Sequence, residues 1–175
     1  AVFEGAILTK ANFVEAKFNE NAVFAKANLA GASFKNNSLE GSDFSKADLT
    51  NAIFQGVKFE GADFSGATVV NINLAESNLT DADLSKLNFT NANLSTTALV
   101  EANLKGSRFS DSKFDKAEFQ FTKVSGAIQV DQFPVDSPTH TRRPHSAILQ
   151  RVVGQGNNDC VLAVDESHLC FSCYC

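Results

Sequence analysis

Residues 44–64 read FSKADLTNAIFQGVKFEGADF, in which every fifth residue is Phe or Leu. The spacing extends well beyond this stretch, because every fifth residue from position 24 to position 124 is Phe, Leu or Val. Four further units precede these, centred on Phe3, Leu8, Phe13 and Phe18. The step from Phe18 to Phe24 is six, so one residue is inserted near Asn21. The chain is therefore built on an internal repeat of five residues.

We call the Phe, Leu or Val that recurs every fifth residue the centre of its unit. A second regularity lies two residues before each centre. Of the 25 units, 15 have Ala there and four have Ser. Two inward residues spaced two apart fit a short strand with one buried face. A straight strand would place the next centre on the opposite face, so the chain must turn once in every unit. The acidic residues echo at twenty residues, as Glu20, Glu40 and Glu60 do, which predicts a coil of four units and therefore four sides.

This unit resembles the A-(D/N)-L-x-x repeat of the pentapeptide repeat family, and the members most similar in character are those of cyanobacteria and of the plant thylakoid lumen. The matching tripeptides are Ala47-Asp48-Leu49, Ala62-Asp63-Phe64, Ala82-Asp83-Leu84 and Ala92-Asn93-Leu94. The resemblance covers residues 1–126 and implies an all-β fold, a right-handed quadrilateral β-helix. Twenty-five units at four per coil predict about six coils.

Composition excludes several classes of protein. The chain has 175 residues, of which 43% are hydrophobic, which is enough for a packed core. No apolar run approaches the roughly 18 residues that span a bilayer. The net charge of −5 argues against a general nucleic-acid binder, which needs a basic patch. The chain opens inside a repeat at Ala1, so we expect a processed or trimmed form.

The repeat predicts a two-part organisation, with the β-helix over residues 1–126 and a different segment over residues 127–175. Residue 129, where a centre is due, is Gln, and residue 134 is Pro. Residues 131–145 contain all three prolines and predict an irregular linker. Apolar residues at helical spacing over 146–153 predict a short helix that caps the open coil. The N-terminal end has no visible cover, so either a segment is missing or that end makes an end-to-end contact.

Nothing in the repeat predicts catalysis or a cofactor. Residues 1–126 contain neither His nor Cys, and the filled interior of such a coil leaves no pocket. The nearby Asp165, Ser167 and His168 lie too close in sequence to form a nucleophile set. We therefore expect a protein that is not an enzyme.

The four cysteines lie in the last sixteen residues, at Cys160, Cys170, Cys173 and Cys175. An even count in a short tail fits disulfides in an oxidising compartment. Free thiols are the second interpretation. A zinc site that includes His168 is the third, although the spacing is not that of a standard zinc finger. Three complete pairings exist, and the sequence does not choose among them.

Charge divides the four predicted sides unequally, with net charges of +1, 0, 0 and −4. The fourth side opposes only Lys17 and Lys58 to six carboxylates. These are Glu20, Glu40, Glu60, Asp81, Glu101 and Glu118. Two interpretations stand: a solubilising face without a partner, or a docking face for a basic protein. Glu40 and Glu60 are expected to point outward.

The sequence thus favours a non-enzymatic structural or protein-binding module. The family resemblance, together with paired cysteines, implies the thylakoid lumen of chloroplasts, and the bacterial cytoplasm is the alternative. The alternative function is DNA mimicry directed at DNA gyrase, which the resemblance to some family members implies. At one charge per ~1.7 Å, a six-coil rod of ~29 Å would need roughly 17 negative charges to match B-DNA. Residues 1–126 hold 15 acidic and 12 basic residues, which is far from that charge.

Overall fold

The computed structural model describes residues 1–18, 21–124, 127–129, 148–152, 160–164 and 169–173. Over the repeat, parallel β-bridges join residues twenty positions apart, as in Asp43↔Asp63 and Asp63↔Asp83. Across the inserted residue the step becomes twenty-one, as in Val2↔Val23. The predicted coil of four five-residue units is therefore confirmed as the register of the described repeat.

The bridges form four columns, which we number as sides one to four. Side one runs through Val2, Val23, Asp43, Asp63, Asp83, Asn103 and Lys123. Side two runs through Ile7, Asn28, Asp48 and Thr68, and then through Asn88, Arg108 and Ile128. Side three runs through Asn12, Ser33, Ile53, Asn73, Asn93 and Lys113. Side four runs through Ser38, Lys58, Asn78, Ala98 and Glu118.

A tight turn at each corner explains why the period is five. After the centre Phe44, the amide of Ala47 donates a hydrogen bond of 3.0 Å to the Phe44 carbonyl. The second residue of this turn, Lys46, has a φ of 59°. Positive φ at that position is the requirement of a type II turn, which Gly and Asn satisfy at least cost. Gly66 and Asn51, with φ of 69° and 60°, occupy the same turn position in other units.

The interior is a set of columns of centres and small residues. Phe24, Phe44 and Phe64 are fully buried, as the sequence predicts for the centres. Their rings stack in one column, with centroids 4.9 Å apart from Phe24 to Phe44 and 5.3 Å apart from Phe44 to Phe64. Each such pair contributes about 0.5–1.5 kcal/mol beyond its buried area. The rings therefore bind one coil to the next through the core.

Backbone hydrogen bonds join each coil to the next along every side. The Phe44 amide donates to the Asp63 carbonyl at 2.8 Å, and the Lys46 amide donates to the Ser65 carbonyl at 2.9 Å. In the opposite direction, the Asp63 amide donates to the Ser42 carbonyl at 3.0 Å. Each bond contributes about 0.5–1.5 kcal/mol net. Because most of these bonds link coils, we expect no single coil to be stable alone.

Within the described residues, five strands extend beyond single bridges. Strand β1 (Arg108–Phe109) pairs in parallel with β2 (Ile128–Gln129), so the twenty-residue register continues to Gln129. Strands β3 (Ile148–Val152), β4 (Cys160–Val164) and β5 (Leu169–Cys173) form an antiparallel sheet in that order. Cα atoms of β5 come within 8 Å of β2.

The helix predicted over residues 146–153 is wrong where the structure describes it, because Ile148–Val152 is strand β3. A short apolar run cannot be assigned by its spacing alone, and β-branched Ile and Val favour strands. The partner that decides the assignment is β4, which pairs with β3 from Ile148↔Val164 to Val152↔Cys160. The predicted linker over 131–145 lies outside the described residues. The number of coils, the boundary at residue 126 and a cap over the C-terminal end stay predictions.

Candidate protein-binding edge

The carboxylates predicted for the fourth side gather at one corner of the coil. Glu40, Glu60, Asp81 and Glu101 all lie in the turns that lead from side four to side one. We call these turn residues, 40–41, 60–61, 80–81, 100–101 and 120–121, the acidic corner. Glu118 lies instead in the bridge column of side four, and Glu20 lies outside the described residues.

Two positions in the turn divide these four residues. Glu40 and Glu60 occupy the first turn residue, and both are half-buried. Asp81 and Glu101 occupy the second turn residue, each with a φ of 58°, and both are exposed. Neighbouring coils lie about 4.8 Å apart, so like charges repeat closely along this corner.

Glu60 departs from the expectation that its side chain points outward. Its Oε1 accepts a hydrogen bond of 2.5 Å from Nδ2 of Asn78, one coil further on. Its Oε2 is buried and has no hydrogen-bond partner among the described residues. Glu40 is held more loosely, since its Oε1 accepts from the Ser38 hydroxyl at 3.1 Å. Asp81 and Glu101 are thus the carboxylates of the corner that face solvent most freely.

Side one carries a comparable number of acidic residues, but backbone amides donate hydrogen bonds to the carboxylates of three of them. Oδ1 of Asp43 accepts the amide of Ser45 at 2.8 Å, and Oδ1 of Asp63 accepts that of Ser65 at 2.7 Å. Asp83 repeats the contact with Ser85 at 3.0 Å. These contacts are Asx turns, in which a carboxylate stabilises the corner that follows it. The recurring Asp-x-Ser on side one was a sequence signal for this structural role.

Counter-charges are sparse at the acidic corner. Among the described residues the one ion pair is Lys26 with Glu4, at 2.8 Å, on side one. The hydrogen bond that Lys26 donates to Glu4, together with the negative charge of Glu4, raises the pKa of Lys26 above its ordinary value. Lys58 on side four is exposed and has no ion pair within the described part of the chain. The negative charge of the corner is therefore left without a fixed neutralising partner.

Sequence reasoning missed one residue of this corner, Phe121. It occupies the same turn position as Asp81 and Glu101, with a φ of 56°, and it is 61% exposed. A bulky residue at positive φ is strained, and the ring of Phe121 is mostly exposed. Its sequence signal was a Phe outside the five-residue register of centres. An exposed ring beside carboxylates can receive a Lys or Arg side chain by a cation–π contact.

The other predicted sites are less defined. Cys160 lies in β4 and Cys170 and Cys173 lie in β5, whereas Cys175 lies outside the described residues, as do Asp165, Ser167 and His168. Within the ranges described, no group of three His, Cys, Asp or Glu side chains could hold a metal ion. No described helix is long and apolar enough to cross a membrane. At the N-terminal end, the centres Phe3 and Phe13 are only partly buried, and end-to-end contact there stays a prediction.

A four-sided coil with a filled interior and a charged corner defines a solenoid-like repeat protein whose chemistry lies on its outer surface. Two family profiles match this chain: pentapeptide repeats (8 copies) over residues 1–20 and 20–56, and the pentapeptide repeat region over residues 52–128. The chain therefore belongs to the pentapeptide repeat family. Membership implies a right-handed quadrilateral β-helix, and members are in general non-enzymatic repeat proteins. The match also confirms the resemblance drawn from the repeat unit.

Several solved structures resemble the chain. HetL, a pentapeptide repeat protein involved in heterocyst differentiation regulation from the cyanobacterium Nostoc, is 25% identical with a TM-score of 0.30, over 74% of this chain and 64% of that one. A pentapeptide repeat protein from the Arabidopsis thaliana thylakoid lumen is 25% identical with a TM-score of 0.34, over 63% of each chain. QnrB1, a plasmid-mediated fluoroquinolone resistance protein, is 18% identical with a TM-score of 0.28, over 73% of this chain and 74% of that one.

The chain spans slightly less than two thirds of the length of the first two of these structures, 64% and 63%. With such TM-scores, these likenesses carry no argument about what this chain binds. No curated protein sequence matches the chain significantly. What this chain binds is therefore inferred from the geometry of its acidic corner.

Proposed function

We propose that this protein is a non-enzymatic binding module that docks a basic protein partner along its acidic corner. The observation that carries the proposal is the set of exposed, uncommitted carboxylates at Asp81 and Glu101, set against the committed carboxylates of side one. The coil holds these charges on a rigid backbone, so a partner meets them without ordering a loop.

Charge complementarity favours a partner with clustered Lys and Arg side chains. A row of like charges one coil apart raises the association rate of a basic protein, and salt weakens that gain. Phe121, one coil beyond Glu101 at the same turn position, adds an apolar contact at the end of the row. Such a combination of charge and exposed ring is suited to Arg-rich surfaces.

The test is a charge reversal confined to the corner. Asp81→Lys with Glu101→Lys changes two exposed residues at a turn position where Lys26 and Lys46 already occur with φ near 60°. The backbone should therefore accept both substitutions, and the melting temperature should stay within a degree or two of wild type. The wild-type protein is used to capture its partner from a chloroplast lumenal extract, and the captured protein is then purified. We expect the Asp81→Lys with Glu101→Lys variant to bind this partner at least tenfold more weakly than wild type does.

The matched control reverses the same amount of charge elsewhere. Glu15→Lys with Asp111→Lys alters two exposed residues with φ of 59° and 55° on other corners. This variant should bind as wild type does. If the corner variant and the control bind the captured partner equally well, the carboxylates only solubilise the protein and the proposal is wrong. Glu60 is avoided in the test because its hydrogen bond with Asn78 would be lost.

DNA mimicry directed at gyrase fits this charge arrangement less well. A duplex mimic presents negative charge continuously along its length, whereas sides one to three of this coil balance their acids with Lys and Arg. A gyrase supercoiling assay separates the two functions, since a docking module of this kind should leave supercoiling unchanged at micromolar concentration.

We also propose the thylakoid lumen as the compartment, on the strength of the family resemblance and the cysteine-bearing tail. An oxidising compartment would pair the cysteines. The alternative, the bacterial cytoplasm, predicts four free thiols in protein taken directly from its source. Thiol labelling of that protein before any reduction distinguishes the two compartments.

A further inference from the structure

The antiparallel sheet of the tail sets two cysteines opposite each other. In the pairing of β4 with β5, Cys160 faces Cys173, and Ala163 faces Cys170. The register is continuous over all five residue pairs of the two strands, from Cys160↔Cys173 to Val164↔Leu169. The sequence left three complete pairings open, whereas this register distinguishes between them.

We propose that Cys160 and Cys173 form a cross-strand disulfide. Directly opposite residues of an antiparallel pair have Cα atoms about 4.5 or 5.5 Å apart, depending on the type of pair. A disulfide accepts Cα separations of about 4.4–6.8 Å. Either type of pair therefore places the Cα atoms of these two positions within the range that a disulfide spans.

The other described cysteine does not compete. Cys170 lies three residues from Cys173 along β5, which is about 10 Å at 3.3 Å per residue. The same offset separates Cys170 from the position opposite Cys160. Cα atoms more than about 7 Å apart cannot be bridged. Residues three apart on a strand also lie on opposite faces of the sheet, so Cys170 and Cys173 do not share a face.

Formation of the bond requires an oxidant, and a low-molecular-weight disulfide can serve as this oxidant through thiol–disulfide exchange. The thiolate of one cysteine attacks a low-molecular-weight disulfide and forms a mixed disulfide with release of one thiol. The second cysteine then attacks the mixed disulfide, which closes the protein bond and releases the other thiol. The protein loses two hydrogens, and the oxidant is reduced to two thiols.

Closing this bond leaves Cys170 and Cys175 as the remaining thiols. It also removes two of the four sulfur ligands on which a zinc site in the tail would depend. The bond covalently locks the β4–β5 pairing, and so it stabilises the tail rather than the coil. The disulfide and the acidic corner lie in different parts of the chain, and neither depends on the other.

Peptide mapping of the full chain locates the bond. The purified protein is equilibrated in a buffer of reduced and oxidised glutathione, alkylated without reduction, and digested with a Glu-specific protease and chymotrypsin. Cleavage after Glu166, Phe171 and Tyr174 puts each cysteine in a different fragment. We expect the fragment with Cys160 to be linked to the fragment Ser172-Cys173-Tyr174, and the intact mass to be two hydrogens lower than that of the reduced protein.

Two variants and an oxidation under denaturing conditions serve as controls for the mapping. The Cys170→Ser variant should keep the link, whereas Cys173→Ser should leave Cys160 alkylated. Oxidation in concentrated guanidinium chloride, where the strand register is absent, should remove the preference for Cys160–Cys173. Recovery of Cys160 mainly as the alkylated thiol, or mainly linked to Cys170 or Cys175, under native conditions would overturn the proposal. Circular dichroism of each variant establishes that the coil is intact.

Discussion

The early units, residues 1–66, and the late units, residues 67–124, build the same coil with different interactions between coils. In the early units, Phe rings stack in columns, as Phe24 does on Phe44 with an interplanar angle of 9°, and the late units keep such a stack between Phe89 and Phe109. In the late units, buried hydroxyls donate hydrogen bonds to centre carbonyls 23 residues earlier. These are Thr97 to Leu74, Ser107 to Leu84, Ser112 to Phe89, and Thr122 to Leu99.

The inner small positions follow the same division. Early units place Ala there in 10 of 13 cases, and late units do so in 5 of 12. Ile72 and Leu87 occupy this position in coils where most centres are Leu or Val rather than Phe. A core packs to constant density, so a smaller centre leaves room for a larger neighbour. The coil thus constrains the volume of its interior more tightly than the identity of any one residue.

The residues at the positive-φ position of the turns also differ between the early and the late units. Among the described residues, six of the seven glycines with positive φ lie in the early units: Gly5, Gly31, Gly41, Gly56, Gly61 and Gly66. The late units place Thr96 and Phe121 at this position, with φ of 57° and 56°. A β-branched or bulky residue at positive φ is strained. The late coils therefore hold more local strain, while their buried hydroxyls bind coil to coil.

The largest expected effect breaks an early ring stack. Phe44 lies between Phe24 and Phe64 and is fully buried. We expect Phe44→Ala to lower the free energy of unfolding by about 3–5 kcal/mol, because flanking coils cannot collapse into the gap. Phe44→Leu should cost much less, since the same column carries Leu84 in the late units. Urea denaturation measures both, and equal losses for the two variants would contradict this expectation, because they would show that Leu cannot replace the ring in this column.

A smaller effect removes a late hydroxyl. The Ser107 hydroxyl donates to the Leu84 carbonyl at 2.6 Å and accepts from the Leu87 amide at 3.2 Å. Ser107→Ala leaves that buried amide without a partner, so we expect a loss of about 1–3 kcal/mol.

The control for Ser107 is Ser42, which occupies the same inner position in an early unit. Its hydroxyl is buried and has no hydrogen-bond partner among the described residues. We expect Ser42→Ala to be neutral or stabilising, because replacing an unsatisfied hydroxyl removes its desolvation cost. If Ser42→Ala destabilises the protein as much as Ser107→Ala does, the hydroxyl contacts do not distinguish the two halves.

The smallest effect exchanges turn residues between the halves. Thr96→Gly should raise the free energy of unfolding by about 1 kcal/mol, because it relieves a β-branched residue at positive φ. The reverse exchange, Gly61→Thr, should lower it by a similar amount. A Cβ at Gly61 would meet no atom within 4 Å, so the loss would come from the backbone conformation alone. Thermal melts of both variants test the pair, and changes of the same sign would contradict it.

The repeat could be predicted from the sequence far more fully than the tail could. A five-residue unit is a local pattern: the centre, the inner small residue and the turn are all neighbours in sequence, and their spacing is enough to place them. The recurrence of acidic residues every twenty positions then predicted a coil with four sides. The tail has no such repetition, and the helix predicted over 146–153 was wrong because strand β4 supplies the pairing of β3.

The candidate site was predictable only as a set of charges. The sequence by itself determined the inward column of centres, the four-sided register and the excess of carboxylates on one side, because all of these repeat locally. Only the tertiary structure decided which carboxylates are free. Glu60 binds Asn78, 18 residues away, while Asp81 and Glu101 stay exposed at the corner. It also set Cys160 opposite Cys173. Such contacts depend on partners from other coils and strands, which no local spacing specifies.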